Sequence, residues 1–343
     1  LKAMSKKYID NTLLLDKRND YWLTDGLQTY LMMNYVSEYY PEIKLAGNIS
    51  KIWGFKNFNF SKLNFNDKYP FVYQYTARQF IDQALNTRSD SLSNFNRKIA
   101  GKYKAGLGLR YLADYIGDSI ISASFQEFYL KNNLKYAKSD DFKKIVSSKT
   151  TKDISWFFED YLKTTKKIDY TIKKAIIKDD SVYVTIKNKR NMTAPVALYG
   201  LKNKQVKFKK WLTNIDSTKT IAIPKNGFNR VSLNFENSYP EFNSMDNWKK
   251  VGKNILNKPI QFKLYKDIND PYYHQIYLQP NIKYNFYDGA LLGLRIHNRP
   301  LLSRNFQFSI TPQYGTKSNA LNGTFNTRYT QYFENSTINR IYY

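Results

Sequence analysis

The sequence contains no cysteine and only two histidines among its 343 residues. The absence of cysteine excludes disulfides, thiolate metal sites and cysteine nucleophiles. No uninterrupted apolar run of about 18 residues occurs, so the sequence predicts no transmembrane helix. The opening residues, LKAMSKKYIDNT, do not resemble a signal peptide and are typical of the interior of a longer protein.

Negative charge is also scarce. Asp and Glu number 28 against 54 Lys and Arg, which gives a net charge of +26. Such an excess indicates anionic partners such as nucleic acid, lipid head groups or lipopolysaccharide phosphates. An AT-rich coding bias, which enriches Lys, Asn, Ile, Tyr and Phe, would produce the same excess. The basic residues are dispersed and no nucleic-acid-binding motif is present, so we expect no nucleic-acid partner.

Residues 1–166 are predicted to be mainly helical. The stretch 21–40, YWLTDGLQTYLMMNYVSEYY, places apolar residues at steps of three to five, as on the buried face of a helix. Either Thr24 or Asp25 could cap its N-terminus. A loop-rich stretch covers 41–65, and Gly117 is expected to end a third helix. Further helices are predicted over 70–87, 91–116, 119–132, 139–149 and 150–163.

Four segments of this half, in the same order, resemble the M1 aminopeptidases, which are zinc enzymes with an H-E-x-x-H helix. WLTDGLQTY is similar to the family's W-L-x-E-G-x-A-x-Y segment, and YKAGLGLRYL to its Y-x-K-G-x-x-x-L segment, with Ala105 in place of Lys. ASFQEFYLKN and DISWFFEDYL resemble two later helices of the family. The resemblance implies that Asp25 is the third zinc ligand, on the helix that follows the H-E-x-x-H helix. It also implies that Tyr103 polarises the tetrahedral intermediate.

A zinc site of this type needs two His one helical turn apart and a Glu that activates water. His274 and His297 lie far downstream, outside any such motif, so this chain alone does not supply the site. Two hypotheses follow. The chain is part of a zinc aminopeptidase whose H-E-x-x-H lies elsewhere, or it is a pseudo-peptidase that acts as a binding or scaffold module. Zinc is the cofactor only in the first; without metal, Tyr103 is a packed or rim tyrosine.

The period of the apolar residues changes to two from Lys167 onward. Residues 167–243 are predicted to form a small β-sandwich, and 244–258 a linker with one short helix. Residues 259–343 carry longer alternating strands with aromatic residues near their ends, which are typical of the start of an outer-membrane β-barrel. Leu291, Leu294 and Ile296 are expected on one side of their strand, as are Phe306, Phe308 and Ile310 in the next strand. A second soluble sandwich or an edge-paired sheet remains the alternative.

These last strands also resemble the opening hairpins of barrels in Bacteroidetes surface proteins that carry M1-like domains. The sequence therefore predicts a multidomain α+β protein: an incomplete M1-peptidase-like domain, a β-sandwich and antiparallel β-strands that begin a barrel. The expected partners are a peptide or protein substrate, outer-membrane lipid and an outer-membrane protein complex, and the expected location is the cell envelope. His274 and His297 are expected to be interfacial or lumen side chains.

Overall fold

A computed structural model describes residues 2–190, 192–252, 257–302, 304–333 and 336–343. The chain forms two compact units. The first unit comprises Leu1–Gly47 and Leu63–Ile255, and the second comprises Asn48–Lys62 and Leu256–Tyr343. Helices and several sheets are both present, which confirms the prediction of a multidomain α+β protein at that level.

The helices and strands of the described residues are numbered in chain order. The α-helices are α1 (Lys2–Thr12), α2 (Tyr21–Tyr39), α3 (Asn59–Lys62), α4 (Lys68–Gln79), α5 (Gly101–Ile116), α6 (Asp118–Asn132) and α7 (Ser139–Ser148). Short 3-10 helices cover Gly47–Lys51 and Phe65–Asp67, and short π-helices cover Asn96–Ala100 and Trp156–Tyr161. The strands are β1 (Leu14–Leu15), β2 (Tyr136–Ala137), β3 (Tyr170–Lys178), β4 (Ser181–Asn188), β5 (Val196–Lys202), β6 (Gln205–Leu212), β7 (Thr218–Pro224), β8 (Arg230–Leu233), β9 (Trp248–Lys250), β10 (Ile260–Leu264), β11 (His274–Asn285), β12 (Gly289–His297), β13 (Phe306–Gly315), β14 (Ala320–Tyr332) and β15 (Arg340–Tyr342).

Helices α2 and α5 pack against each other in the first unit. The backbones approach closely at Gly106, where an added Cβ would lie 2.4 Å from Thr29 Cγ2. Helix α5 ends before Gly117, as predicted, and that glycine has a φ of +123°. The predicted N-cap of α2 is wrong, because the helix already begins at Tyr21. Asp25 therefore lies inside the helix, one turn from its start.

Two antiparallel sheets follow the helices in the first unit. One has the strand order β3-β4-β7 and the other β6-β5-β8-β9. The four-stranded sheet continues into β9, within the stretch for which the sequence predicts a linker. Inward alternation is clear in β4, where Val182, Val184 and Ile186 are buried.

The second unit contains a six-stranded sheet with the order β10-β11-β12-β13-β14-β15. The first pair is parallel and the other pairs are antiparallel. None of the sheets built by the described residues closes into a barrel. Leu291 pairs with Lys283 and Gly315 and is buried, so it lies on the face opposite to Leu294 and Ile296, contrary to the prediction. In the part of the chain that the structure describes, no helix has the length and apolarity needed to cross a bilayer.

Candidate functional site

Asp25 and Lys102 meet where α2 packs against α5. The Lys102 Nζ donates to Asp25 Oδ1 over 2.9 Å. The Asp25 side chain is largely buried, with 16% of its surface exposed, and that of Lys102 is 30% exposed. A partly buried ion pair of this geometry is less screened than a surface pair. The main cation beside Asp25 in this chain is therefore a lysine ammonium.

Burial raises the pKa of Asp25, because desolvation disfavours the charged carboxylate. Lys102 opposes this shift by its charge and its hydrogen bond, and Lys6 opposes it by its charge. Asp10 adds to the increase. Lys6 and Asp10 both belong to α1, the helix that precedes α2 and packs against it.

The residues described around Asp25 do not fit a zinc ion. In the resembling family the third ligand follows the H-E-x-x-H helix, and here the helix before α2 is α1, KAMSKKYIDNT, without His or Glu. Among the described residues, no three His, Cys, Asp or Glu side chains come together as a metal site requires. Zinc ligation by Asp25 thus stays a prediction that would depend on ligands from other sequence.

Tyr103 lies one residue after Lys102 on α5. Its ring contacts the Tyr69 ring edge to face, with 4.7 Å between the ring centroids. Partial burial raises the pKa of the Tyr103 phenol, so the group is protonated at neutral pH. The contact is that of a packed tyrosine at the margin of the core, and the role of Tyr103 in stabilising an oxyanion stays a prediction.

The two histidines lie on neighbouring strands of the second unit and do not form a shared metal site among the described residues. His297 is buried beside Tyr277, with 5.5 Å between the ring centroids, and its Nδ1 accepts from the Arg299 backbone N–H. Burial and nearby cations lower the pKa of His297 to about 4, so the ring is neutral at pH 7. His274 is exposed at the start of β11.

Lys102 is the residue of this site that the sequence does not identify. It lies in a segment with several other lysines, RKIAGKYK, and nothing in their spacing tells which one faces a carboxylate on another helix. The pairing depends on how far α2 and α5 are rotated against each other, which local sequence does not determine.

No described protein family matches this chain, and no curated protein sequence is detectably similar to it. Among solved structures, the chain is similar to Legionella pneumophila aminopeptidase A in complex with aspartic acid. The TM-score is 0.45 and the identity 15%, over 65% of this chain and 24% of that chain. The chain thus spans about a quarter of the length of that aminopeptidase.

Proposed function

We propose that the first unit is an M1-like, peptidase-type module that binds peptides without a catalytic metal, and that the second unit holds it at the outer membrane. The observation that carries the first part is the ion pair between Asp25 and Lys102. The sequence resemblance supplies the peptidase class, and the ion pair favours binding over hydrolysis.

The electrostatics at Asp25 support a site without metal. A zinc ion bound to this carboxylate would lie beside the Lys102 ammonium and near the charge of Lys6, so two like charges would oppose it. Asp is also one methylene shorter than the family's Glu, which demands a closer approach of the metal. The lysines supply the positive charge that a zinc ion would otherwise provide.

A partly exposed tyrosine next to Lys102 in sequence supports peptide binding. Tyr103 packs edge to face on the buried Tyr69 and is itself partly exposed. Aromatic rings offer large contact area at low cost in conformational entropy, which suits the capture of extended peptides.

A second candidate is the zinc aminopeptidase, with H-E-x-x-H supplied by sequence outside this chain. The packing of α2 against α5 favours it, because this packing brings together the two helices that carry Asp25 and Tyr103. In that case Asp25 would be a ligand and Tyr103 would face the substrate carbonyl.

Zinc content and aminopeptidase activity of the full-length protein, purified from membranes without chelators, separate the two candidates. We expect no stoichiometric zinc and no release of N-terminal residues from aminoacyl fluorogenic amides, with or without added zinc. We also expect Lys102→Met to destabilise the protein more when Asp25 is present than in an Asp25→Asn background, because the substitution leaves a buried charge unpaired. The control Lys98→Met removes an exposed lysine from the preceding turn and should change little.

About one zinc per chain, lost together with activity in Asp25→Ala, would overturn the metal-free proposal. Equal effects of Lys102→Met in the two backgrounds would show that the ion pair has no energetic weight.

The membrane part of the proposal is supported by the inverted burial of β13. Three of its apolar residues are exposed, 53% for Phe306, 42% for Ile310 and 43% for Tyr314, and Phe308 is partly exposed. The polar residues between them are buried, namely Gln307, Ser309, Thr311 and Gln313. A sheet in water buries its apolar face and exposes its polar face, so this strand suits a surrounding that is itself apolar.

The strand register extends this apolar face across the sheet. Ile310 lies between Ile296 and Phe325, and Leu292 lies between Ile282 and Tyr314. The Lys and Arg residues of β11 to β14 are Lys283, Arg295 and Arg328, and their register places all three on the opposite face. A face without charge in a chain of net charge +26 supports contact with lipid hydrocarbon.

The dimensions of the strands agree with a bilayer. Strand β13 has 10 residues, and a tilted membrane strand needs about 9–11. Tyr284 and Tyr314 lie toward one end of the apolar face, and Phe306 and Tyr329 toward the other, where aromatic residues meet the membrane interface. We therefore propose that this sheet is the beginning of an outer-membrane barrel of the kind carried by Bacteroidetes surface proteins.

A further inference from the structure

The first unit contains a cavity of about 270 Å³ that the peptidase resemblance does not involve. Its lining combines apolar side chains with groups of both charges. The residues that line it are Val36, Ser37, Pro41, Asn64, Phe65, Asn66, Asp67, Pro70, Arg110, Glu236 and Asn237. Such a mixture does not suit a purely apolar ligand, and the volume lies just below the range of drug-sized sites.

The side chain of Asn66 is held firmly against α2. Its Nδ2 donates to the Met33 carbonyl oxygen over 2.9 Å and to Ser37 Oγ over 3.0 Å. A carbonyl oxygen can only accept a hydrogen bond, so the contact with Met33 identifies the NH₂ end of the Asn66 amide. Asn66 Oδ1 is buried and has no hydrogen-bond partner among the described residues. This oxygen is therefore not accessible to a ligand, and Asn66 contributes to the cavity by fixing its wall against α2.

Arg110 presents an unused cation in the same lining. Within the part of the chain that the structure describes, its guanidinium makes no ion pair, although its charge partly offsets the increase that burial causes in the pKa of Asp67 and adds to the effect of Lys209 and Tyr199 in lowering the pKa of Glu236. Glu236 is already engaged, because its Oε2 accepts from Lys209 Nζ and from the Tyr199 hydroxyl. Arg110 is therefore available for an anionic group of a ligand.

Asp67 completes the polar side of the cavity. Its Oδ2 accepts the Asn64 backbone N–H in a capping box, which holds the carboxylate in place. Burial is the main influence on Asp67 and raises its pKa. A ligand cation near this carboxylate would offset the desolvation and favour its charged form.

We infer that this cavity binds a free α-amino acid with an apolar side chain, its carboxylate on Arg110, its ammonium on Asp67, and its side chain against Val36 and Phe65. A phosphate or other polyanion suits the cavity less well, because Asp67 and Glu236 also line it. The binding site is independent of Asp25, so it does not require the peptidase-type function.

Calorimetric titration of the full chain with L-leucine tests this site. We expect saturable binding, weakened about tenfold or more by Arg110→Gln, since a charge-assisted hydrogen bond is lost. Arg97→Gln is the matched control, because it removes an exposed arginine outside the cavity lining and should leave the affinity unchanged. Leucinol, which lacks the carboxylate, and 4-methylpentanoate, which lacks the ammonium, should each bind the unaltered protein much more weakly than leucine.

The two analogues test the inference on the unaltered protein even if Arg110→Gln does not fold. The absence of leucine binding at millimolar concentration would overturn it. Equal affinity for leucine and both analogues would do the same, as would an affinity that a folded Arg110→Gln variant retains.

Discussion

Glu241 is a fully buried carboxylate of the first unit whose hydrogen-bond donors are all neutral. Its Oε2 accepts from the side-chain amides of Asn247 and Asn234, and its Oε1 accepts from the Tyr170 backbone N–H. Burial is the main cause that raises its pKa, and the charge of Asp169 adds to it, giving a pKa of about 8. The native protein therefore keeps this group protonated at pH 7, where the unfolded chain ionises it.

The free energy of unfolding of the original protein should fall as pH rises from 6.5 to 8. Replacing Glu241 by Gln should remove this fall. In this window the unfolded chain has released the proton and the native state holds it, so the free energy of unfolding falls as pH rises. The slope ends near the native pKa of about 8. Asp169, whose pKa burial raises to about 6, titrates mostly below pH 7, so the slope between pH 7 and 8 is the part most specific to Glu241. Urea denaturation at several pH values measures the slope.

The control for this prediction is Glu159→Gln. Hydrogen bonds from Lys143 and Lys163 lower the pKa of the exposed Glu159 to about 2, far below the window. Its replacement should leave the slope between pH 6.5 and 8 as it is in the original chain. If Glu241→Gln leaves the dependence of the free energy of unfolding on pH unchanged, Glu241 is ionised in the native state.

At this scale the sequence identifies candidates by motif and misses their partners. Asp25 and Tyr103 are candidates because WLTDGLQTY and YKAGLGLRYL resemble family segments, and their roles stay predictions. The sequence does not identify Lys102 or Arg110 as candidates, because the residues near them in the fold come from other helices or loops. Such neighbours are set by tertiary packing, which short motifs do not encode.

The contact between α2 and α5 is the element on which the geometry of Asp25 and Lys102 depends. An added Cβ at Gly106 would lie 2.4 Å from Thr29 Cγ2 and 2.5 Å from Thr29 Cβ. Thr29 is held by its hydroxyl, which donates to the Asp25 carbonyl oxygen over 2.8 Å. The two helices must therefore separate to accept any side chain at position 106.

Gly106→Ala should lower the free energy of unfolding by about 1–3 kcal/mol, the usual cost of overpacking, although Ala is the better helix former. Chemical denaturation measures the change. Gly54→Ala is the control, since an added Cβ there meets nothing within 4 Å. Unchanged or increased stability of Gly106→Ala would contradict the close approach of the two helices.

The spacing of apolar residues predicts where helices and strands lie better than it predicts which face of a strand each residue occupies. The helix ending at Gly117 and the inward residues of β4 follow from apolar spacing and a glycine stop. In β12, GALLGLRIH, Leu291 and Leu292 are adjacent, so the sequence does not tell which of them lies on the apolar face. The pairing of Leu291 with Gly315 and of Leu292 with Tyr314 decides it. Register is a property of the sheet, so one strand read alone gave the wrong side for Leu291.

Sequence order also hides how the chain divides into units. Residues 48–62 belong to the second unit, where Asp267 accepts the backbone N–H groups of Asn59 and Phe60. The sequence shows this stretch only as a loop-rich insertion in the helical half. Its partner lies about 200 residues away along the chain, and a contact of that separation has no local signature.

The apolar sheet face of the second unit is the feature that would tie the whole molecule to a membrane. Phe325 and Asn326 are neighbours on β14, both exposed, and they point to opposite faces of the sheet. Phe325 pairs with Ile310 on the apolar face, and Asn326 pairs with Ser309 on the polar face. The two positions therefore form a matched pair for introducing the same charge.

Flotation of the full-length protein with vesicles of outer-membrane lipid is the most direct measurement. We expect the original protein and Asn326→Lys to float with the vesicles, and Phe325→Lys to lose most of its membrane-bound fraction, because a lysine on a lipid-facing strand costs about 2–4 kcal/mol near the bilayer centre. If Phe325→Lys floats as well as the original protein, or Asn326→Lys is impaired to the same extent, the apolar face does not contact lipid.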